Sequence, residues 1–332
     1  MPRGRYAPSP SGYQHLGNAR TALLAWVRAK VDGGTFVLRV EDLDAPRTVP
    51  EAVQGNLDEL RWLGLDWDEG PDVGGPVEPY LQSQRFALYQ AALDKLEHAG
   101  HVFNCYLSRK DLSEVASAPH DASAPYGVRE RDHNEHIREQ RAREGRQPAL
   151  RLRVPDEAVV WMEPYMGAQS IQLAREVGDI VLQRADGTWS YQLAVAVDDA
   201  AMGIAEVVRG EDLLPSTAVQ QWLLRLLGHE PPNYAHVPIL RGPDGQRLAK
   251  RKGDLTLHAL RAAGVAPARV IGLLAATLDG STQPRECSAK AFLERFGNGA
   301  PLRNRPLSEH DLAWLFEEAS PTPSLDTPDS AQ

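Results

Sequence analysis

Short apolar runs alternate with amphipathic stretches from the first residues of the chain. Arg5-Tyr6-Ala7 predicts a short strand, which Pro8 and Pro10 break. After Gly17, apolar positions recur at helical spacing (Ala19, Leu23, Trp26, Val27) until Gly33-Gly34 ends the pattern. Residues 35–40 are mostly apolar and predict a buried strand that runs into the acidic turn Glu41-Asp42-Leu43-Asp44. Helices are expected at about 50–63 and 83–99, separated by a loop rich in Gly, Pro and Asp. Strand, helix, strand, helix in this order predicts an α/β fold with a parallel sheet of doubly wound type.

From residue 101 to about 164 the pattern weakens. Residues 117–125 are rich in Ala, Ser and Pro and read as loop, while 149–154 and 159–161 read as strands of an inserted α+β subdomain. The doubly wound character is expected to return with a hairpin, 179–183 and 189–191, around Ala185-Asp186-Gly187. A helix at 192–200, a strand at 205–208, a long helix at 216–227 and a strand at 236–240 follow. The turn Gly242-Pro243-Asp244-Gly245 then presents a basic cluster, Arg247-Leu248-Ala249-Lys250-Arg251-Lys252. Beyond Asp254 the chain reads as helical up to Glu318, and the last residues as a polar, disordered tail.

Composition adds few constraints. The 332 residues suit about two domains, with 42% hydrophobic and 24% charged residues, as in an ordinary globular protein. No signal region or apolar run of spanning length is visible, and two cysteines, Cys105 and Cys287, make no disulfide framework. A reducing cytoplasm, no membrane and a monomer are the expectations. The net charge of -9 argues against non-specific coating of nucleic acid. The run 129–146 reads as a solvated helix face, because Glu130, Glu135, Glu139 and Glu144 interleave with its arginines.

Four places carry candidate chemistry. In residues 8–18 a strand ends, small and rigid residues allow close backbone approach, and a helix begins whose N–H groups can face phosphate. His15 at this corner can donate to a phosphate oxygen that gains charge in a transition state. A proline-stiffened turn with a satisfied histidine is the blander reading. Lys250 sits where a mobile loop could neutralise a leaving pyrophosphate. Glu41 ends the second strand, at the edge where ligands of open α/β sheets bind, and can hold an ammonium group. Arg209 ends a later strand and can hold a carboxylate in a bidentate pair.

The opening stretch, Pro8-Ser9-Pro10-Ser11-Gly12-Tyr13-Gln14-His15-Leu16-Gly17, resembles the HIGH signature of class I aminoacyl-tRNA synthetases in its glutamyl form. Arg39-Val40-Glu41-Asp42-Leu43-Asp44 and Val208-Arg209-Gly210-Glu211-Asp212-Leu213 match two further elements of that family, and 247–251 is similar to a relaxed KMSKS loop. Four motifs in the right order span roughly the first 260 residues. The resemblance implies a Rossmann-type catalytic domain in two halves, 1–100 and 176–255, around an acceptor-binding insert, 101–175. It also implies a stem-contact-like helical region, 256–318, and leaves 319–332 as tail.

It further implies a division of labour. Arg5, Ala7 and Ser9 line a glutamate pocket, with Arg5 and Tyr191 meeting the side-chain carboxylate, Glu41 the α-amino group and Arg209 the α-carboxylate. Tyr191 as plain core packing is the alternative reading. Pro8, His15, Gly17, Asn18, Leu248 and Lys250 hold ATP, which brings Mg²⁺ with it, and His15, Gly17 and Lys250 carry the catalysis. No anticodon-binding domain is expected after the helical region, a pattern similar to the glutamyl-Q tRNA(Asp) synthetase family. Its members activate glutamate without tRNA and attach it to the queuosine base of tRNA(Asp). That family's zinc site is degenerate here. Cys105 and Tyr126 are its remnants, Leu107 replaces a cysteine, and two ligands do not close a tetrahedral site, so no zinc is expected. His120, His133 and His136 lack convincing ligand spacing. An ordinary glutamyl-tRNA synthetase catalytic domain, a nucleotidyl transferase that never meets tRNA, and a non-catalytic module are the alternatives. The third draws on Arg247 and Ala249 standing where Lys and Ser are usual.

Overall fold

The computed structural model describes residues 2–44, 46, 48–108, 111, 125–248, 255–299 and 301–317. Lys250, His120 and residues 319–332 therefore lie outside the described residues.

The parallel sheet is built from four short strands. β1 (Arg3–Tyr6), β2 (Thr35–Leu38), β8 (Glu206–Gly210) and β9 (Asn233–Val237) lie in the order β2-β1-β8-β9, all parallel. Helix α1 (Leu16–Lys30) links β1 to β2, and α6 (Leu214–Leu226) links β8 to β9. One crossover runs outward from β1 and the next from β8, so the connection order reverses between these two central strands. That is the switch point at which open α/β sheets bind ligands, outside the carboxyl ends of the strands. β9 stops at Val237, earlier than the expected 236–240, because Pro238 has no N–H to extend the ladder.

The inserted region differs more from expectation. β3 (Val102–Cys105), β4 (Ala149–Leu152) and β7 (Ile180–Gln183) form an antiparallel sheet, and β5 (Ala158–Glu163) pairs with β6 (Gly167–Gln172) as a two-stranded ribbon. The strand expected at 179–183 to return to the parallel sheet thus belongs beside β4, as β7. Its alternating burial suits an antiparallel strand rather than a fully buried parallel one. Its hairpin partner contributes only the bridge between Gln183 and Trp189. At Ser190 the chain turns into helix α5 (Tyr191–Ala201), whose N-cap is the Ser190 hydroxyl accepting from Leu193 N–H. The mixed-charge run does form a helix, α4 (Val128–Arg143), anchored where Arg131 meets buried Asp179 at 2.6 Å.

The helices α2 (Pro50–Trp62) and α3 (Phe86–His98) fall where expected. The C-terminal region is less continuous than its sequence suggests. Four helices, α7 (Leu257–Ala262), α8 (Pro267–Asp279), α9 (Ala289–Phe296) and α10 (Glu309–Phe316), are separated by irregular stretches. The core joins them to the sheet through Leu23, Leu24, Phe36, Leu274, Phe292 and Leu315. Arg20 on α1 pins this packing. It is 1% exposed, bonds Asn304 Oδ1 at 2.8 Å and Thr277 Oγ1 at 3.3 Å, and donates to the carbonyl of Pro238. The helical region thereby holds the loop after β9 against the start of α1.

Candidate active site

At the switch point, a cleft of about 400 Å³ opens between the ends of β1 and β8. Arg5, Ala7, Pro8, Ser9, His15, Gly17, Asn18, Glu41, Tyr191, Arg209 and Leu248 all line it. Residues more than two hundred positions apart thus meet in one place, and Lys250 is the one expected site residue outside the described chain. A second cleft of about 630 Å³ adjoins the first, sharing Ser9, Ser11, Glu41 and Tyr191 as a common wall and adding Arg184, Thr188 and Trp189.

His15 caps α1. Its Nδ1 accepts from Gly17 N–H at 3.0 Å and from Asn18 N–H at 3.3 Å. The sequence reading offered these first-turn N–H groups to phosphate, but the structure assigns them to the imidazole. A ring that accepts at Nδ1 carries its proton on Nε2, so the neutral imidazole is a donor at that nitrogen. Gly17 leaves room for the ring at this corner, since a Cβ there would lie 2.9 Å from His15 Cε1 and the imidazole would have to shift.

Beneath the residues expected to line a glutamate pocket runs a chain of buried charges. Glu41 accepts from Arg39 Nη2 at 3.2 Å, Arg39 Nη1 donates to Asp199 at 2.7 Å, and Arg5 pairs with the same Asp199 at 3.3 Å. Asp198, one residue earlier on α5, takes Arg85 at 2.6 Å and Tyr89 at 2.9 Å. Burial pushes Asp199 up, yet Arg5 and Arg39 outweigh it and hold the carboxyl below its ordinary range. Burial also raises Glu41, against the pull of Arg39 and Arg5. Tyr191 is raised by burial and by the charge of Glu41, and so remains a neutral phenol able to donate.

Three arginines (Arg5, Arg39, Arg85) are thus matched by three acids (Glu41, Asp198, Asp199). Arg209 differs. It donates to His236 Nε2 at 3.2 Å, Gln220 Oε1 at 2.6 Å and Thr217 Oγ1 at 2.5 Å, none of them a carboxylate. Its counter-charge, Glu163, lies one side chain further off behind His236, so among the described residues the guanidinium has no carboxylate bonded directly to it and can take one from a ligand.

Sequence reasoning missed Arg39, Asp198 and Asp199, and the partners of Arg209. A signal did exist. Arg39 interrupts an apolar strand and Asp198-Asp199 interrupts the apolar run of α5, and such residues are buried only when paired. Cys105 and Tyr126, expected as remnants of a zinc site, do meet, with Cys105 Sγ 3.4 Å from the Tyr126 hydroxyl. Among the described residues no group of three or more His, Cys, Asp or Glu is placed to hold a metal. No described helix is long and apolar enough to cross a membrane.

The chain matches the family model for the catalytic domain of class I tRNA synthetases (E and Q) over residues 2–295. It is 51% identical to a glutamyl-Q tRNA(Asp) synthetase of Symbiobacterium thermophilum, over 82% of this chain and 85% of that one. The chain belongs to the glutamyl-Q tRNA(Asp) synthetase family. A second member, from Nitratidesulfovibrio vulgaris, is 49% identical over 83% of this chain and 86% of its own length. The glutamate–tRNA ligase 2 of Acidithiobacillus ferrooxidans is 42% identical, and there the match spans 57% of the relative. The fold is that of the crystal structure of a glutamate–tRNA synthetase from Elizabethkingia anophelis, with a TM-score of 0.83 at 27% identity, covering 95% of this chain and 70% of that one. As in the family, the catalytic unit is a class I α/β architecture with a parallel sheet, and the chain is a ligase of the aminoacyl-tRNA synthetase type.

Proposed function

We propose that this chain activates L-glutamate with ATP, without needing tRNA, and then passes the glutamyl group to the queuosine of tRNA(Asp). The observation that carries the first half is that Arg209, alone among the buried arginines of the cleft, has no carboxylate among its direct partners in the described residues. Glu41 offers a carboxylate for the α-ammonium, Arg5 with Tyr191 offers donors for the side-chain carboxylate, and Arg209 offers the α-carboxylate a guanidinium that no carboxylate already occupies. The α-carboxylate attacks the α-phosphate, giving glutamyl-adenylate and pyrophosphate. His15, donating from Nε2, stabilises charge on the phosphate oxygens, and Pro8, Gly17, Asn18 and Leu248 shape the ATP side of the cleft. Lys250 is assigned to the departing pyrophosphate by its motif. Mg²⁺ enters with ATP and neutralises phosphate charge.

Support for the acceptor comes from the relatives of about half identity, whose names specify glutamyl-Q tRNA(Asp) synthetase, and from the larger adjoining cleft. That cleft shares Ser9, Ser11, Glu41 and Tyr191 with the glutamate pocket, so a base entering it stands beside the bound amino acid. We take the protein to act as a monomer in the cytoplasm. Labelled glutamate is expected to enter tRNA(Asp) containing queuosine, and not the same tRNA without it. Glutamate-dependent ATP–pyrophosphate exchange is expected with no RNA added. Charging of tRNA(Glu) instead would favour an ordinary glutamyl-tRNA synthetase, and absent exchange would remove the reading altogether.

A further inference from the structure

Arg209 is gripped from three sides by side chains that are themselves fully buried: Thr217, Gln220 and His236 are each 0% exposed. The three bonds use three of the five guanidinium N–H groups, leaving one on each Nη for the cleft that Arg209 lines. The bond to His236 imposes a condition. Nε2 can accept from Arg209 only if the imidazole proton sits on Nδ1. Thr217 imposes the same condition, because its hydroxyl accepts from Arg209 and lies 3.0 Å from Nε2, to which it then donates.

Glu163 meets that condition. It is the last residue of β5, the ribbon strand of the insert, and is 2% exposed. One carboxylate oxygen accepts from the His236 backbone N–H at 2.9 Å, and the other is in hydrogen-bonding contact with His236 Nδ1. A carboxylate only accepts, so the proton between them belongs to Nδ1. A doubly protonated ring would set an N–H donor against the N–H of Arg209 and place two positive charges side by side. Burial accordingly lowers the imidazole pKa, and Arg209 adds to this against the pull of Glu163. The ring is further confined by Tyr234, stacked nearly parallel to it at 6.2 Å.

We propose that Glu163 and His236 are positioning residues for Arg209, the carboxylate holding the imidazole as its Nδ1–H tautomer and the imidazole aiming the guanidinium at the substrate carboxylate. This rests on the glutamate-activating reading above. It also gives the insert a task in amino-acid recognition, since Glu163 reaches the catalytic half from outside it.

Pyrophosphate exchange with the full chain, varying glutamate and ATP separately, tests the idea on His236→Leu, His236→Gln and Glu163→Gln. Losing the acceptor in His236→Leu should raise KM for glutamate about tenfold or more, while KM for ATP stays within about twofold. His236→Gln, whose amide oxygen reaches the place of Nε2, should recover most of that loss. Glu163→Gln should raise KM for glutamate severalfold with a melting temperature close to wild type, and it carries the test alone if His236→Leu does not fold. Parallel rises in both KM values, a fall in kcat alone, or a glutamine variant no better than leucine would overturn the positioning role. If the wild-type chain itself shows no exchange, the glutamate reading falls first and for a different reason.

Discussion

Glu59 shows how much one side chain can carry. It is 3% exposed on α2, and one oxygen accepts the backbone N–H of Gln14 at 3.0 Å, inside the phosphate-side loop. Burial raises its pKa from 4.5 to about 7, against the bonds from Gln14 and His258. The native state therefore keeps this proton up to a higher pH than the unfolded chain does. Between those two values folding takes up protons, and the stability contributed by Glu59 is lost as pH rises through the upper one. The melting temperature of Glu59→Gln, relative to wild type, is expected to climb between pH 5 and pH 8. Any fixed cost of the amide shifts every point equally, so a flat difference would refute the assignment. Glu59 looks like an ordinary helix-surface acid in the sequence, because nothing local reveals that the loop folds over it. Glu41 and Arg209 were legible since each ends a strand beside a turn, whereas Asp199 and His236 acquire meaning only from partners 194 and 27 residues away.

Among the elements, α1 is the one on which sequence and chemistry agree most closely. His15 caps it, Gly17 follows without a side chain, and ten of its residues are buried against the sheet and the C-terminal helices. Replacing Gly17 by alanine should favour the helix by up to about 1 kcal/mol in isolation. The new Cβ, however, meets the imidazole at 2.9 Å, and the ring must shift to admit it. Gly17→Ala is expected to lower pyrophosphate exchange by about tenfold or more while moving the melting temperature only a few degrees. Unchanged exchange would mean that the ring's position is not needed. The parallel strands and α1 to α3 could be read from the chain because each is bounded by Gly or Pro and carries a clear apolar period. β3 and β6 could not. Asn104 stands in the first and Gln169, Ser170 and Gln172 in the second, so neither shows a period, and both are strands because partners complete their ladders.

For the molecule as a whole, the insert is where the expected absence of zinc can be tested. Cys105 and Tyr126 touch, and Arg151 lies over the Tyr126 ring at 4.1 Å, so a cation–π contact occupies that face of the tyrosine. Purified protein is expected to hold far less than about one zinc per chain, and a chelator should leave its melting curve in place. Stoichiometric zinc, or a melting temperature lowered by chelation, would refute this. The insert is also tied firmly to the catalytic half. β7 belongs to its sheet, and after one short turn the chain enters α5 with Tyr191, Asp198 and Asp199. The wall shared by the two clefts makes them interdependent: Ser9, Ser11, Glu41 and Tyr191 face both, so a change in any of these four side chains is expected to be felt by an occupant of either cleft.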